Sequence, residues 1–123
     1  MSNYILYPTN ITEFLYSFWE DDIFCINPLT LHELHGVNCV IITVLFNQTL
    51  FEQILPVPSH PRFFCISPMS DNQEAIAQLR SLIAHIIKTN VDKKDGYELR
   101  NWSYIYNVMD IMYLHFRVKL STA

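Results

Sequence analysis

All six prolines of this chain lie at or before residue 68, and none follows. Proline removes a backbone donor and breaks a helix interior. Long uninterrupted helices are therefore admitted only in the second half, and the first is held to short pieces. Those pieces are β-branched and aromatic: YILY (4–7), EFLYSFW (13–19), DIFCI (22–26), CVIITVLF (39–46) and RFFCIS (62–67). Their length and composition predict strands. Pro56, Pro58 and Pro61 form one extended connection, and TLFEQIL (49–55) fits one short helix.

After Pro68 the period becomes helical. Ser70 and Asp71 are N-cap candidates, and Glu74 stands three residues after Asp71, as a capping box requires. Ile76, Leu79, Leu82, Ile83, Ile86 and Ile87 then recur at spacings of three and four, predicting an amphipathic helix over 72–90. NVDKKDG interrupts it. A second helix is predicted from Asp95 to about Lys119. Along it Leu99, Trp102, Tyr106, Met109, Tyr113, Phe116 and Leu120 follow spacings of 3, 4, 3, 4, 3 and 4, a seam that packs helix on helix. Beside this seam runs a second row, Ile105, Val108 and Met112. Both rows can be buried within one molecule, or one can meet a second copy. A small sheet can hardly cover a helix of about 35 Å, which favours pairing through Trp102, Tyr106, Met109, Tyr113 and Phe116.

Composition sets outer limits. A chain of 123 residues, half of them hydrophobic and 16% charged, has enough apolar content for one modest core. Net charge is −4, and the eight Lys+Arg are spread without a basic patch, which argues against direct nucleic-acid binding. Two glycines argue against a phosphate-cradling loop. The start MSNYILYPTN has neither the charged nor the apolar region of a signal peptide. No apolar run approaches the roughly 18 residues of a membrane span. A soluble, cytoplasmic chain is expected.

Cys25, Cys39 and Cys65 are odd in number and lack paired spacing, which argues against a disulfide framework or a zinc site. They read as small buried hydrophobes in a reducing compartment. His32 and His35 in LHELH would share a face on a helix, but Asn27-Pro28 and the flanking strand-like runs speak against one, and no third ligand is evident. Glu20, Asp21 and Asp22 read as a turn. No Ser or Cys has an evident base partner. No catalytic residue, metal or cofactor is assigned. Tyr16, Trp19 and Phe24 belong to an aromatic concentration that could line a small-molecule pocket, against the plainer reading as core.

The order of segments adds a resemblance. DDIFCINPLTLHEL, CVIITVLFNQTLFEQILP, RFFCIS, LRSLIAHII and DGYELRNWSYIYNVMDIMYLHF follow one another as in the N-terminal sensing and dimerisation domain of AraC/XylS-type transcriptional regulators. Asp22 to Pro28 followed by His32-Glu33 resembles that family's turn, Phe51 to Pro56 its short helix, and Gly96-Tyr97-Glu98 the opening of its second helix. Asp21 stands where the family has Gly. The resemblance covers about 100 of the 123 residues. It implies a cupin-like β-barrel that takes a small effector, with His32 on a strand bordering the pocket, and helices that pair two subunits. The family's helix-turn-helix portion and the opening barrel strands have no counterpart here, so the resemblance implies a truncated sensing domain.

The combined expectation is an α+β fold, a partial cupin-like antiparallel β-roll followed by two amphipathic helices. Residues 1–67 form the effector-binding β segment and 68–123 the two-helix dimerisation segment, within one compact domain. The effector site would comprise His32, Trp19, Phe24 and Tyr16. The partners would be a second copy through the C-terminal helix and a small-molecule effector, with no nucleic acid and no membrane. A rival reading is a stand-alone acidic interaction or inhibitor protein that docks a partner through its aromatic helix. A small cupin-like enzyme, which would need a bound metal, is the third.

Overall fold

The computed structural model describes residues 3–8, 13–18, 21–27, 33–35, 43–44, 49–55 and 61–118, the strands within the first 35 residues by their backbone pairing. The chain divides into two units, Met1–Asp22 with Ile26–His60, and Ile23–Cys25 with Pro61–Ala123.

In the first unit, β1 (Asn3–Pro8), β2 (Glu13–Phe18) and β3 (Glu33–His35) form an antiparallel sheet in the order β2–β1–β3. The register places Asn3 opposite Phe18 and Pro8 opposite Glu13, and Tyr4 also faces His35 across the other edge. Pro8 occupies the last rung of β1, where a missing donor costs least. TLFEQI forms the short helix α1 (Thr49–Ile54).

The expected α+β cupin-like roll is overturned. Helix takes 65% and strand 5% of the residues whose side chains are described. A roll needs continuous ladders on two facing sheets. Two of the runs that should have supplied them, DIFCI and RFFCIS, form isolated bridges instead: Phe24 with Ile66, and Phe63 with Arg117. Pro61 and Pro68 confine the second run to six residues, and a 3-10 turn at Ser67–Met69 ends it. Most of CVIITVLF lies outside the described residues, and its Thr43 and Val44 are in neither helix nor strand.

The second unit is a helical hairpin of α2 (Gln73–Asp92) and α3 (Tyr97–His115). The N-cap of α2 is Asn72, whose side-chain oxygen accepts from the Ala75 amide at 3.0 Å. Ser70 supports it from outside, its hydroxyl accepting from the Asn72 amide at 3.1 Å. The expected cap at Ser70 or Asp71 is thus displaced towards the helix. At the other end Lys93 takes the left-handed conformation, φ 47°, and its amide reaches the Thr89 carbonyl. Glycine normally takes this position, because a Cβ crowds the backbone there. Gly96 then enters α3 at φ 76°. A Cβ on it would meet only Arg100 Nη1 at 3.6 Å, so the backbone angle and not space asks for glycine. The Arg100 guanidinium closes the turn by donating to the carbonyls of Lys94 and Asp95 at 3.1 and 2.9 Å.

Polar contacts at both ends fix the helices as antiparallel. Beside the turn, Asn90 and Asn101 exchange amide hydrogen bonds at 3.0 and 2.9 Å. At the far end Asn72 Nδ2 lies 3.2 Å from His115 Nδ1. Between them Ala75, Ile76, Leu79 and Ile86 of α2 are buried, as are Val108, Met109, Ile111 and Met112 of α3. Helix α2 buries Ile76, Leu79 and Ile86 of its expected periodic row, whereas α3 buries only part of its expected seam and stops at His115, short of Lys119. Its continuation is drawn off into extended pairing: Phe64 donates to the Phe116 carbonyl at 2.9 Å and Val118 to Arg62 at 2.8 Å.

Two substitutions test this packing by denaturant unfolding. Ile76, with no exposed surface, should lose about 2–5 kcal/mol of stability on Ile76→Ala. Lys93→Gly should gain about 1 kcal/mol by relieving the left-handed backbone; no gain would mean that the turn is not held in that conformation.

Candidate functional site

The face of α3 directed away from its core is the candidate. At 100° per residue, Val108, Ile111 and Met112 cluster on one side of the helix, while Leu99, Trp102 and Tyr106 lie roughly 160° around it. Leu99 is 78% exposed, Trp102 46% and Tyr106 47%, although all three are large and apolar or aromatic. The Trp102 and Tyr106 rings lie 5.8 Å apart between centroids and tilt by 33°, so they form one surface. Tyr113, on the same line, is partly covered and carries the Arg117 guanidinium 4.0 Å above its ring.

The expected seam is therefore divided. Trp102 and Tyr106 face solvent, Tyr113 is intermediate, and Met109 and Phe116 are 5% and 6% exposed within the hairpin core. A strict seven-residue repeat drifts about 20° per heptad around a straight helix. Here the drift carries the seam towards the buried row, so Met109 and Phe116 enter the core, Tyr113 between them is half-covered, and the earlier members stay outside. Leu99 belongs to the outer stripe by the same spacing.

The described residues include only two of the four residues expected to line an effector pocket, Tyr16 and Phe24. Tyr16 stands on β2 opposite Ile5, and Trp19 and His32 lie outside the described residues. Phe24 belongs to the second unit, where it bridges Ile66. His35 sits on a strand, so the helical His32–His35 face does not form. Among the described residues no three His, Cys, Asp or Glu side chains are grouped to hold a metal ion. No described helix is long and apolar enough to cross a membrane.

Two open grooves flank the hairpin. One, of about 220 Å³, is lined in part by His85, Lys88, Asp92, Lys94, Arg100 and Tyr104. It gathers three cations spaced six residues apart around the turn, but Asp92 lines the same groove and Arg100 is engaged by turn carbonyls. His85 sits with its Nδ1 2.7 Å from the Ser81 carbonyl and its ring 5.4 Å from that of Tyr104. The second groove, about 500 Å³, runs along Gln78, Ser81, Leu82, Asn107, Asp110 and Leu114, among others, and is more polar. Neither has the enclosed apolar walls that bury a small metabolite.

A pairing invisible in the sequence spacing occurs at two cysteines. The Phe24–Ile66 bridge sets Cys25 opposite Cys65, with the Cys25 amide donating to the Cys65 carbonyl at 2.9 Å. Burial pushes the Cys25 thiol up to about 11. Burial, with the neighbouring Cys25 adding to it, pushes Cys65 up to about 12. The available signal was the tripeptide Phe-Cys-Ile, which stands at both 24–26 and 64–66. Run antiparallel, such tripeptides place cysteine opposite cysteine. Compared with known proteins, the chain matches no family model, no curated protein and no solved structure.

Proposed function

We propose that this chain is a regulatory pairing module, in which α3 joins two copies into a homodimer. The observation that carries the reading is the outward stripe of Leu99, Trp102 and Tyr106 on a helix whose core-facing row lies elsewhere. Covering side chains of this size and exposure is worth about 1–2 kcal/mol each. Trp and Tyr contribute large contact area with few rotatable bonds, which suits them to the centre of an interface. A two-fold arrangement sets each stripe on its own copy and needs no second surface. Met109 and Phe116 support the helix from within rather than meeting the partner.

The resemblance to AraC/XylS-type regulators implies pairing through this same helix. In that reading the chain is the sensing and dimerisation part of a cytoplasmic regulator, responds to a small effector, catalyses nothing and leaves DNA contact to other sequence. Its net charge of −4 supports the last point, because binding to nucleic acid depends on clustered cations neutralising phosphates.

Sedimentation equilibrium across the micromolar range tests the pairing. The chain should run at about twice its 14.5 kDa mass. Trp102→Glu and Tyr106→Glu should each return it to monomer with the far-ultraviolet circular dichroism unchanged, since both side chains face solvent. A monomeric parent chain, or a dimer indifferent to both substitutions, would contradict the proposal.

A further inference from the structure

We propose that Cys25 and Cys65 are a thiol pair that hydroperoxides convert, reversibly, into an intramolecular disulfide. The pairing of the two segments places them. Cys25 donates its amide to the Cys65 carbonyl at 2.9 Å, and Ser67 donates to the Ile23 carbonyl at 2.8 Å, on either side of the Phe24–Ile66 bridge. A further bond, from the Ile23 amide to the Ser67 hydroxyl at 2.9 Å, locks the register. Directly opposite residues in such a pair project to the same face of the ribbon. Hydrogen-bonded opposite residues of an antiparallel pair have Cα atoms about 5.5 Å apart, within the roughly 4.4–6.8 Å that a disulfide spans. Both cysteines are thiols in this structure. They belong to one unit, so the bond requires no movement between units.

The chemistry follows from the difference in exposure. Cys65 is 1% exposed, whereas Cys25 is partly open to solvent. Peroxide therefore meets Cys25 first. The Cys25 thiolate attacks one peroxide oxygen, the O–O bond breaks, and the Cys25 sulfenic acid forms with release of water once the leaving hydroxide is protonated. The Cys65 sulfur then attacks the Cys25 sulfur and expels a second water as the S–S bond closes. Overall two thiols and one hydrogen peroxide give one disulfide and two waters. Burial holds both thiols far above neutrality, so the thiolate is scarce at pH 7 and the pair ignores weak oxidant. The rate should rise about tenfold per pH unit between pH 7 and 9, in step with the thiolate fraction. Cross-strand Cβ atoms stand slightly farther apart than a relaxed disulfide prefers, which keeps the bond reducible.

The test treats Cys39→Ser protein with hydrogen peroxide, alkylates the remaining thiols and maps the peptides by mass. The expected result is loss of both thiols, one linked peptide joining Cys25 to Cys65 in a monomer-mass chain, and recovery of both thiols with dithiothreitol. The oxidised chain should also unfold at a higher denaturant concentration, because the bond closes the long 25–65 loop. The same map on the unsubstituted chain decides the matter should Cys39→Ser fold poorly. Separate alkylation of both cysteines after prolonged peroxide, over-oxidation of Cys25 to sulfinic acid, or a bond between copies would each overturn the proposal.

Discussion

The backbone of residues 62–67 is the tie on which the second unit depends. One short stretch, bracketed by Pro61 and Pro68, pairs with two segments distant in sequence. Towards its start Arg62 and Phe64 hold the chain leaving α3, through bonds to Val118 and Phe116. Towards its end Cys65 and Ser67 hold Ile23–Cys25. Phe63, Cys65, Ile66 and Ser67 are all buried, and Phe63, Cys65 and Ile66 contribute to the apolar core. Buried backbone groups must be paired; these neighbours satisfy them without a regular sheet. Gln73 extends the tie into α2, its side-chain amide donating to the Ser67 and Ser70 carbonyls at 2.9 and 2.8 Å.

That tie also explains why α3 is shorter than its apolar pattern. Periodicity continues to Leu120, but the backbone beyond His115 gains hydrogen-bond partners across from Arg62 and Phe64 that compete with one more helical turn. The helix itself then has two periods to reconcile. Core contact with α2 follows the helix repeat, while the aromatic seam follows seven residues. The two coincide near Met109 and Phe116 and separate towards Leu99. The outward stripe is the region where they differ, and it lies at the turn end of the hairpin.

The helices were legible because their signals are local. Proline ends at Pro68, Ile76 to Ile87 repeat at helical spacing, and Gly96 marks the entry to α3. The cap was misplaced by one or two residues because Ser70, Asp71 and Asn72 all have capping side chains, and only geometry selects Asn72. The β-roll failed for a different reason. DIFCI and RFFCIS have strand composition, yet composition carries no information about how many rungs a ladder will have, and here each bridge has one. The cysteine pair was likewise hidden, since its partners are brought together by non-local pairing. In the candidate site, Trp102 and Tyr106 were legible as a stripe, but which seam members turn inwards depended on the angular drift against α2.

If the stripe on α3 is covered by a second copy, Trp102 reports on it directly. In a Trp19→Phe chain its fluorescence can be followed as concentration rises from dilute to associating conditions. On association the emission should shift to shorter wavelength, as water leaves the indole. Emission that keeps its water-exposed wavelength at every concentration would contradict coverage by a second copy.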